Sequence, residues 1–419
     1  VGYICGIKIS SYMFAGGVLS YLVLIPAIVY FGGESLSVVM DSAGNAIAFN
    51  ALSPGAIWSN YIRYIGAGAV AAGGILSLVK SLPVMIKTFV KAMKGFGKNA
   101  ESGSRTEVNI STKTVVIGVI AVAVVMWLLP EIPISLSGAL IVVVFGFFFA
   151  SVSSRMVGLV GSSNNPVSGM AIATLIATTI IFKAMGVTGV EGMVAAISVG
   201  TVCIIAAIAG DASQDLKTGY IVGATPKKQQ IGEILGAVVA AFAIGGVMYL
   251  LHAAWGFGSE AIPAPQASLM KMVVEGVMGG TLPWTLVLIG VFAAVIVEIL
   301  GIPVMAFAVG LYLPIYLSTP IFIGGVIRWF LENKKKFADD ASRKDFIDRG
   351  VLYTSGMIAG EGLVGILLAV FAVVGLNFDF SGIYGGSFET VGAIVGVIAF
   401  AALLGSMMYF CKGKKKQNA

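Results

Sequence analysis

Along most of this chain apolar residues run together for long stretches without the strict alternation of a half-buried strand, and polar residues gather between the runs. A helix needs about 20 predominantly apolar residues to cross a bilayer. By that measure the sequence predicts crossings near Ser11 to Phe31, Tyr61 to Val90, Thr114 to Leu129, Leu136 to Val157, Pro166 to Phe182, Gly192 to Ala209 and Ile231 to His252. Three more fall near Leu282 to Leu300, Val351 to Leu376 and Thr390 to Phe410. Between Ile302 and Leu331 the apolar stretch is interrupted by Pro303, Pro314 and Pro320 and by Gly310, Gly324 and Gly325, which predicts a re-entrant or broken-helix hairpin. The expected fold is an all-α polytopic membrane protein, a helical bundle of about ten spans plus that hairpin.

Composition agrees. Of 419 residues 58% are hydrophobic and 11% charged, against about 25% charged in an ordinary soluble domain. Mean hydropathy is +0.98, so a soluble globule is excluded. The 55 glycines are spread through the apolar segments, as in packed transmembrane helices, and the unbroken runs suit helices better than barrel strands. If the Lys91 to Lys113 loop is cytoplasmic, alternating crossings also place Lys217, Lys227, Lys228, the cluster Lys334 to Arg349 and the tail Lys412, Lys414, Lys415 and Lys416 on that side. Glu34, Asp41, Glu131, Glu191, Glu260, Glu275, Asp379 and Glu389 gather on the other face, where only Arg63, Lys183 and Lys271 are basic. The count closes when the hairpin enters and leaves by the cytoplasmic face. The net charge of +6 thus follows from membrane orientation and calls for no nucleic acid. Expected are a membrane domain over residues 1–410, a basic cytoplasmic tail over 411–419, and a place in the cell membrane among its lipids. The chain opens at Val1, inside a Gly-rich apolar segment without the charged start of a signal peptide, and is expected to be a fragment lacking its beginning.

Irregular backbone at membrane depth is tolerated only in protein or beside a wet cavity, so breaks in the apolar pattern are candidate sites. In Ser162-Ser163-Asn164-Asn165-Pro166-Val167-Ser168-Gly169-Met170, Asn164 or Asn165 can cap a helix starting at Pro166, aiming free N–H groups at an anionic group. An ordinary capped loop reads equally well. In Gly210-Asp211 through Gln214-Asp215-Leu216-Lys217-Thr218-Gly219-Tyr220, Asp211 and Asp215 share a helix face, with Lys217 near. That suits a cytoplasmic gate, or a solvated loop. The third break holds Gly310, Tyr312, Pro314, Ser318, Thr319 and Pro320, a pattern by which discontinuous helices build midplane sites. Intramembrane carboxylates are functional hypotheses in their own right. Glu298 and Glu361 are the candidates for carrying protons, whereas Glu233 and Lys183 lie nearer span ends and are read as snorkelling.

One histidine, His252, and three scattered cysteines, Cys5, Cys203 and Cys411, provide no transition-metal site, and no cofactor is expected. No Gly-x-Ser-x-Gly, His-Glu-x-x-His or ATP-binding loop is present, so neither an enzyme nor a self-contained ATP pump is expected. A faint internal echo joins Phe14-Ala15-Gly16-Gly17-Val18-Leu19 to Phe307-Ala308-Val309-Gly310-Leu311.

The run Val144-Phe145-Gly146-Phe147-Phe148-Phe149-Ala150-Ser151-Val152-Ser153-Ser154-Arg155, continued through Asn165-Pro166-Val167-Ser168-Gly169-Met170, resembles the oligopeptide transporter (OPT) superfamily on its yellow stripe-like side. So do Gly210-Asp211 with Gln214-Asp215-Leu216-Lys217-Thr218-Gly219, the run Val222 to Gln230, and Phe307 to Arg328. The resemblance runs from about Val1 to Phe410, roughly the C-terminal two-thirds of a two-halved fold. It implies proton-coupled uptake of oligopeptides, or of metal complexed by small amino-acid-derived chelators. Asn164 and Ala171 stand where Ser and Thr are expected, which leaves substrate choice open. On this reading Asn164, Asn165, Ser168, Tyr312, Ser318 and Thr319 hold the cargo, Glu298 and Glu361 couple protons, and Asp211, Asp215 and Lys217 form the cytoplasmic gate. A passive channel or pore is the alternative.

Overall fold

The computed structural model describes residues 1–32, 39–40, 46–47, 52–95, 104–132, 134–160, 167–259, 262, 264–279, 283–334, 339–376 and 388–412. In chain order the helices begin with α1 (Gly2–Val18), which continues through a π-helical turn at Leu19–Leu24 into α2 (Ile25–Gly32). Next, α3 (Pro54–Ile57) runs through a second π-helical turn, Trp58–Ile62, into α4 (Arg63–Gly95). Then follow α5 (Thr112–Leu128), α6 (Leu136–Val160), α7 (Val167–Ala184), α8 (Gly189–Gly200), α9 (Val202–Val222) and α10 (Pro226–Ala254). The rest are α11 (Pro265–Gly279), α12 (Trp284–Ile299), α13 (Val304–Tyr312), α14 (Ile315–Lys334), α15 (Asp340–Val374) and α16 (Phe388–Lys412). Val39–Met40 and Ala46–Ile47 form a two-residue antiparallel pair.

Among the described residues, eight helical segments are long and apolar enough to cross a membrane, and Gly169–Ala184 and Trp284–Ile299 are shorter apolar helices. These correspond to the ten predicted crossings. The stretch with three prolines is broken as expected, and each proline acts differently: Pro303 caps α13, Pro314 separates α13 from α14, and Pro320 sits inside α14. Leu313 is extended because the ring of a following proline disfavours the helical region. Two expectations shift. Gly210 to Tyr220 is no break but the second half of α9, and the interruption falls earlier, at Thr201. An unpredicted helix, α11, contains Lys271 and Glu275, which dilute its apolar pattern and ion-pair one turn apart on its surface.

The chain divides into two compact units. In the first (Val1–Gly66, Gly245–Pro263, Val297–Ala419) α1 packs on α13 and α14. Small residues permit the approach. A Cβ at Gly16 would stand 2.3 Å from the Phe307 carbonyl oxygen, and one at Gly310 would stand 1.8 Å from that of Met13. The two echoing segments of sequence therefore lie against each other, with Phe14 stacked on Phe322 at 4.5 Å. α1 is broken at Gly6 (φ 78°, ψ 170°), which frees carbonyls on its N-terminal side. Arg328 answers them: its Nη1 donates to the carbonyls of Tyr3 (3.0 Å) and Ile4 (2.9 Å), while Nε pairs with Glu332 at 2.7 Å. Tyr3 also packs with Phe346, Met407 and Cys411, which ties α1 to α15 and α16.

In the second unit (Ala67–Ile244, Ala264–Ile296) α6 lies along α9, and α7, α8 and α11 pack together. Val142, Phe149, Met170, Phe182, Val199 and Val274 are among its buried core. The serines of the α6 motif are used in docking: Ser153 Oγ donates to the Ala206 carbonyl, and Ser213 Oγ donates to that of Ser154 at 2.6 Å. Interhelical hydrogen bonds of this kind hold helices together where lipid offers no hydrophobic drive.

Candidate functional site

The structure concentrates unusual chemistry at the α13–α14 break in the first unit. Tyr312, the last residue of α13, is buried, and the Arg63 guanidinium lies near enough to interact with its hydroxyl. The contact is imposed by the backbone, because a Cβ at Gly66 would lie 2.6 Å from the Cα of Tyr312, so the start of α4 is seated directly on the end of α13. Ser318, in the first turn of α14, is fully buried and its Oγ has no partner among the described residues. Thr319 differs: its hydroxyl is spent on the Ile315 carbonyl at 2.8 Å.

Two π-helical turns complete the surroundings, and they touch each other. In each the closing bond runs five residues back, from Ile25 N–H to the Ser20 carbonyl and from Arg63 N–H to the Trp58 carbonyl. Such widened turns recur at functional positions because they re-aim side chains. Ser20 is fully buried, and among the described residues its Oγ, Trp58 Nε1 and Arg63 Nε, all buried atoms, have no partner. The phenol oxygen of Tyr21 meets the Ile315 N–H at the start of α14. Sequence reasoning missed Ser20, Tyr21, Trp58 and Arg63. The available signal was Arg63, one of three basic residues on the acidic face.

Asn164 and Asn165 lie outside the described residues, as do Glu34, Asp41, Glu260, Asp379 and residues 413–419 of the tail. α7 begins at Val167, directly after the Asn165-Pro166 pair, and Ser168 is in its first turn. Asp211, Asp215 and Lys217 are exposed on α9, with Lys217 5.8 Å from the Tyr220 ring centre. Glu298 is half-buried near the end of α12 and engaged with a neighbour, and Glu361 is exposed on α15. Glu233, set aside from the sequence, buries its Oε1 without a partner among the described residues. Tyr312 and Ser318 thus flank one break within the first unit, and Arg155 is exposed on α6. Among the described residues no three His, Cys, Asp or Glu side chains are grouped to hold a metal ion.

A family model described as OPT oligopeptide transporter protein matches residues 1–372. The chain belongs to this family. Beside other OPT relatives, it is 30% identical to a Haemophilus influenzae protein named "Putative oligopeptide transporter", over 96% of this chain and 71% of that protein. It is also 30% identical to the "Probable metal-nicotianamine transporter YSL11" of Oryza sativa subsp. japonica, over 42% of this chain and 26% of the relative. A third, the "Probable metal-nicotianamine transporter YSL5" of Arabidopsis thaliana, is 30% identical over 44% and 28%. The chain spans less than a third of the length of these plant proteins. OPT membership and the apolar helices together make it an integral membrane protein.

Proposed function

We propose that this OPT protein is a proton-coupled symporter that takes up oligopeptides, or metal complexes of small amino-acid-derived chelators, across the cell membrane, with its C-terminus in the cytoplasm. The observation that carries the reading is the α13–α14 break, where Tyr312 and the unpartnered Ser318 are buried beside Arg63. A discontinuous helix with free polar groups at membrane depth is how transporters hold cargo near the midplane. Asn164, Asn165 and Ser168 would contribute from the start of α7, Thr319 only through its lone pairs, and Asp211, Asp215 and Lys217 at a cytoplasmic gate. Glu298 and Glu361 are the proposed proton carriers.

The test uses full-length protein in proteoliposomes under an inward proton gradient, with uptake of a labelled tripeptide measured beside an iron–chelator complex. Uptake of either that a protonophore abolishes supports symport and selects the cargo class. Gradient-independent leakage of both would replace symport by a passive pore. Glu298→Gln and Glu361→Gln are each expected to lose proton dependence if they carry the coupled proton, and retained dependence in both overturns the assignment.

A further inference from the structure

Four of the five buried side-chain atoms without a partner among the described residues belong to the first unit: Ser20 Oγ, Trp58 Nε1, Arg63 Nε and Ser318 Oγ. They share a chemistry. Indole and guanidinium nitrogens only donate, and a serine hydroxyl can donate one hydrogen. They also share a place. The widened turn puts Trp58 and Arg63, five apart, on one face, and Arg63 reaches Tyr312 at the break. Ser20 lies one turn beyond Gly17, whose added Cβ would be 3.6 Å from Cβ of Ser318. Buried donors left unsatisfied are costly, and a cluster offering donors with a fixed positive charge suits an acceptor that is itself negative.

Resting on the transport reading above, we propose that Arg63, Trp58, Ser20 and Ser318, with Tyr312 orienting the guanidinium, form a carboxylate subsite. Its ligand class is the free carboxylate of a peptide or of an amino-acid-derived chelator. Arg63 supplies the charge and a directional N–H, Trp58 a second N–H, and the two serines hydroxyl donors from α14 and from the turn after α1. A cargo whose carboxylate is capped as an amide loses the charge and brings donors of its own against donors.

The decisive experiment compares a tripeptide with its C-terminal amide on the full-length protein, by thermal stabilisation of the purified protein and by competition against labelled tripeptide uptake. Wild type should prefer the acid at least 10-fold. Arg63→Gln should weaken the acid 10-fold or more and leave the amide nearly unchanged, collapsing the preference, while Arg63→Lys restores part of it. Should Arg63→Gln not fold, Ser20→Ala with Ser318→Ala should lower the preference by a smaller factor. Equal affinity of wild type for acid and amide, or a preference that survives in Arg63→Gln or the double serine variant, overturns the subsite. Acid-selective stabilisation without uptake would support the subsite and overturn the transport reading, so the two fail separately.

Discussion

α1 with α13, and α10, are all glycine-bearing apolar helices and opposite in what their glycines do. Gly16 and Gly310 sit where backbone meets backbone, and any side chain there would enter a carbonyl of the facing helix. At Gly232, Gly236, Gly245 and Gly246 of α10 an added Cβ would meet nothing within 4 Å among the described residues, and the apolar length of the helix has no buried residue. A glycine in an apolar run therefore does not announce a helix crossing; only the partner does. Where the partner exists, close approach replaces the missing hydrophobic drive with dispersion contacts. Along the apolar length of α10 the backbone is satisfied by the helix's own hydrogen bonds, as an apolar solvent requires, and its described ties to a neighbour are at its start, where Lys227 N–H donates to the Val108 carbonyl and Gln230 meets Ile110 and Asn109.

The contrast is broken most directly by substitution. Gly310→Leu drives a side chain into the Met13 carbonyl, and overpacking costs about 3 kcal/mol or more where backbone cannot yield. Monodisperse protein after detergent extraction is expected to fall to background. Gly236→Leu, with open space around it, should extract and melt like wild type. Equal behaviour of the two variants would mean that the α1–α13 contact does not hold the first unit together.

A smaller effect is expected at Arg328, which secures the same helix from its other end. The break at Gly6 frees the Tyr3 and Ile4 carbonyls, and one guanidinium satisfies both while pairing with Glu332. Hydrogen bonds from charged groups contribute about 1.5–3 kcal/mol, so Arg328→Ala should lower thermal stability in detergent by about 2–3 kcal/mol. Arg328→Lys should recover less than half, because an ammonium lacks the planar fork that serves two carbonyls and a carboxylate at once. Full recovery by lysine would show that charge alone matters at this position.

The helices were legible in the sequence because lipid leaves the backbone only helices or a closed barrel, and long unbroken apolar runs select the helix. Pro314 was equally legible, since a proline's effect on its neighbour is local. Arg63 was not. Its role depends on α4 being seated on Tyr312 through Gly66, a contact between residues far apart in sequence. Gly6 was hidden among many glycines, and only its positive φ distinguishes it. The polar run from Gly210 looked like a break because Asp, Ser, Gln and Lys interrupt hydropathy, yet each of those side chains is compatible with a helix end, and α9 continues through them to a left-handed Gly223. Ser153 read as part of a family motif; its buried bond to α9 is a packing function that spacing within α6 could not reveal.

The smallest expected effect concerns how a sparsely packed helix is secured at its end. α15 buries few of its residues, and its first turn is fastened by Asp339, whose carboxylate accepts from the Ser342 N–H at 2.8 Å. The Ser342 hydroxyl and amide hold that carboxyl below the ordinary aspartate range. A carboxyl depressed in the folded state stabilises above its unfolded pKa, and the contribution fades as pH falls through the folded one. Hydrogen exchange at Ser342 and Arg343, corrected for intrinsic rates, should accordingly lose protection only once the pH drops below the usual carboxylate range. Asp339→Asn, which caps without titrating, should flatten that dependence, and Asp339→Ala should fray the turn at every pH. Amides of α13, held by contacts that carry no charge at Gly310, should keep their protection across the same titration. Parallel loss in both places would mean that acid loosens the whole first unit, and the distinction between a helix fastened by its cap and one fastened by its neighbour would fall.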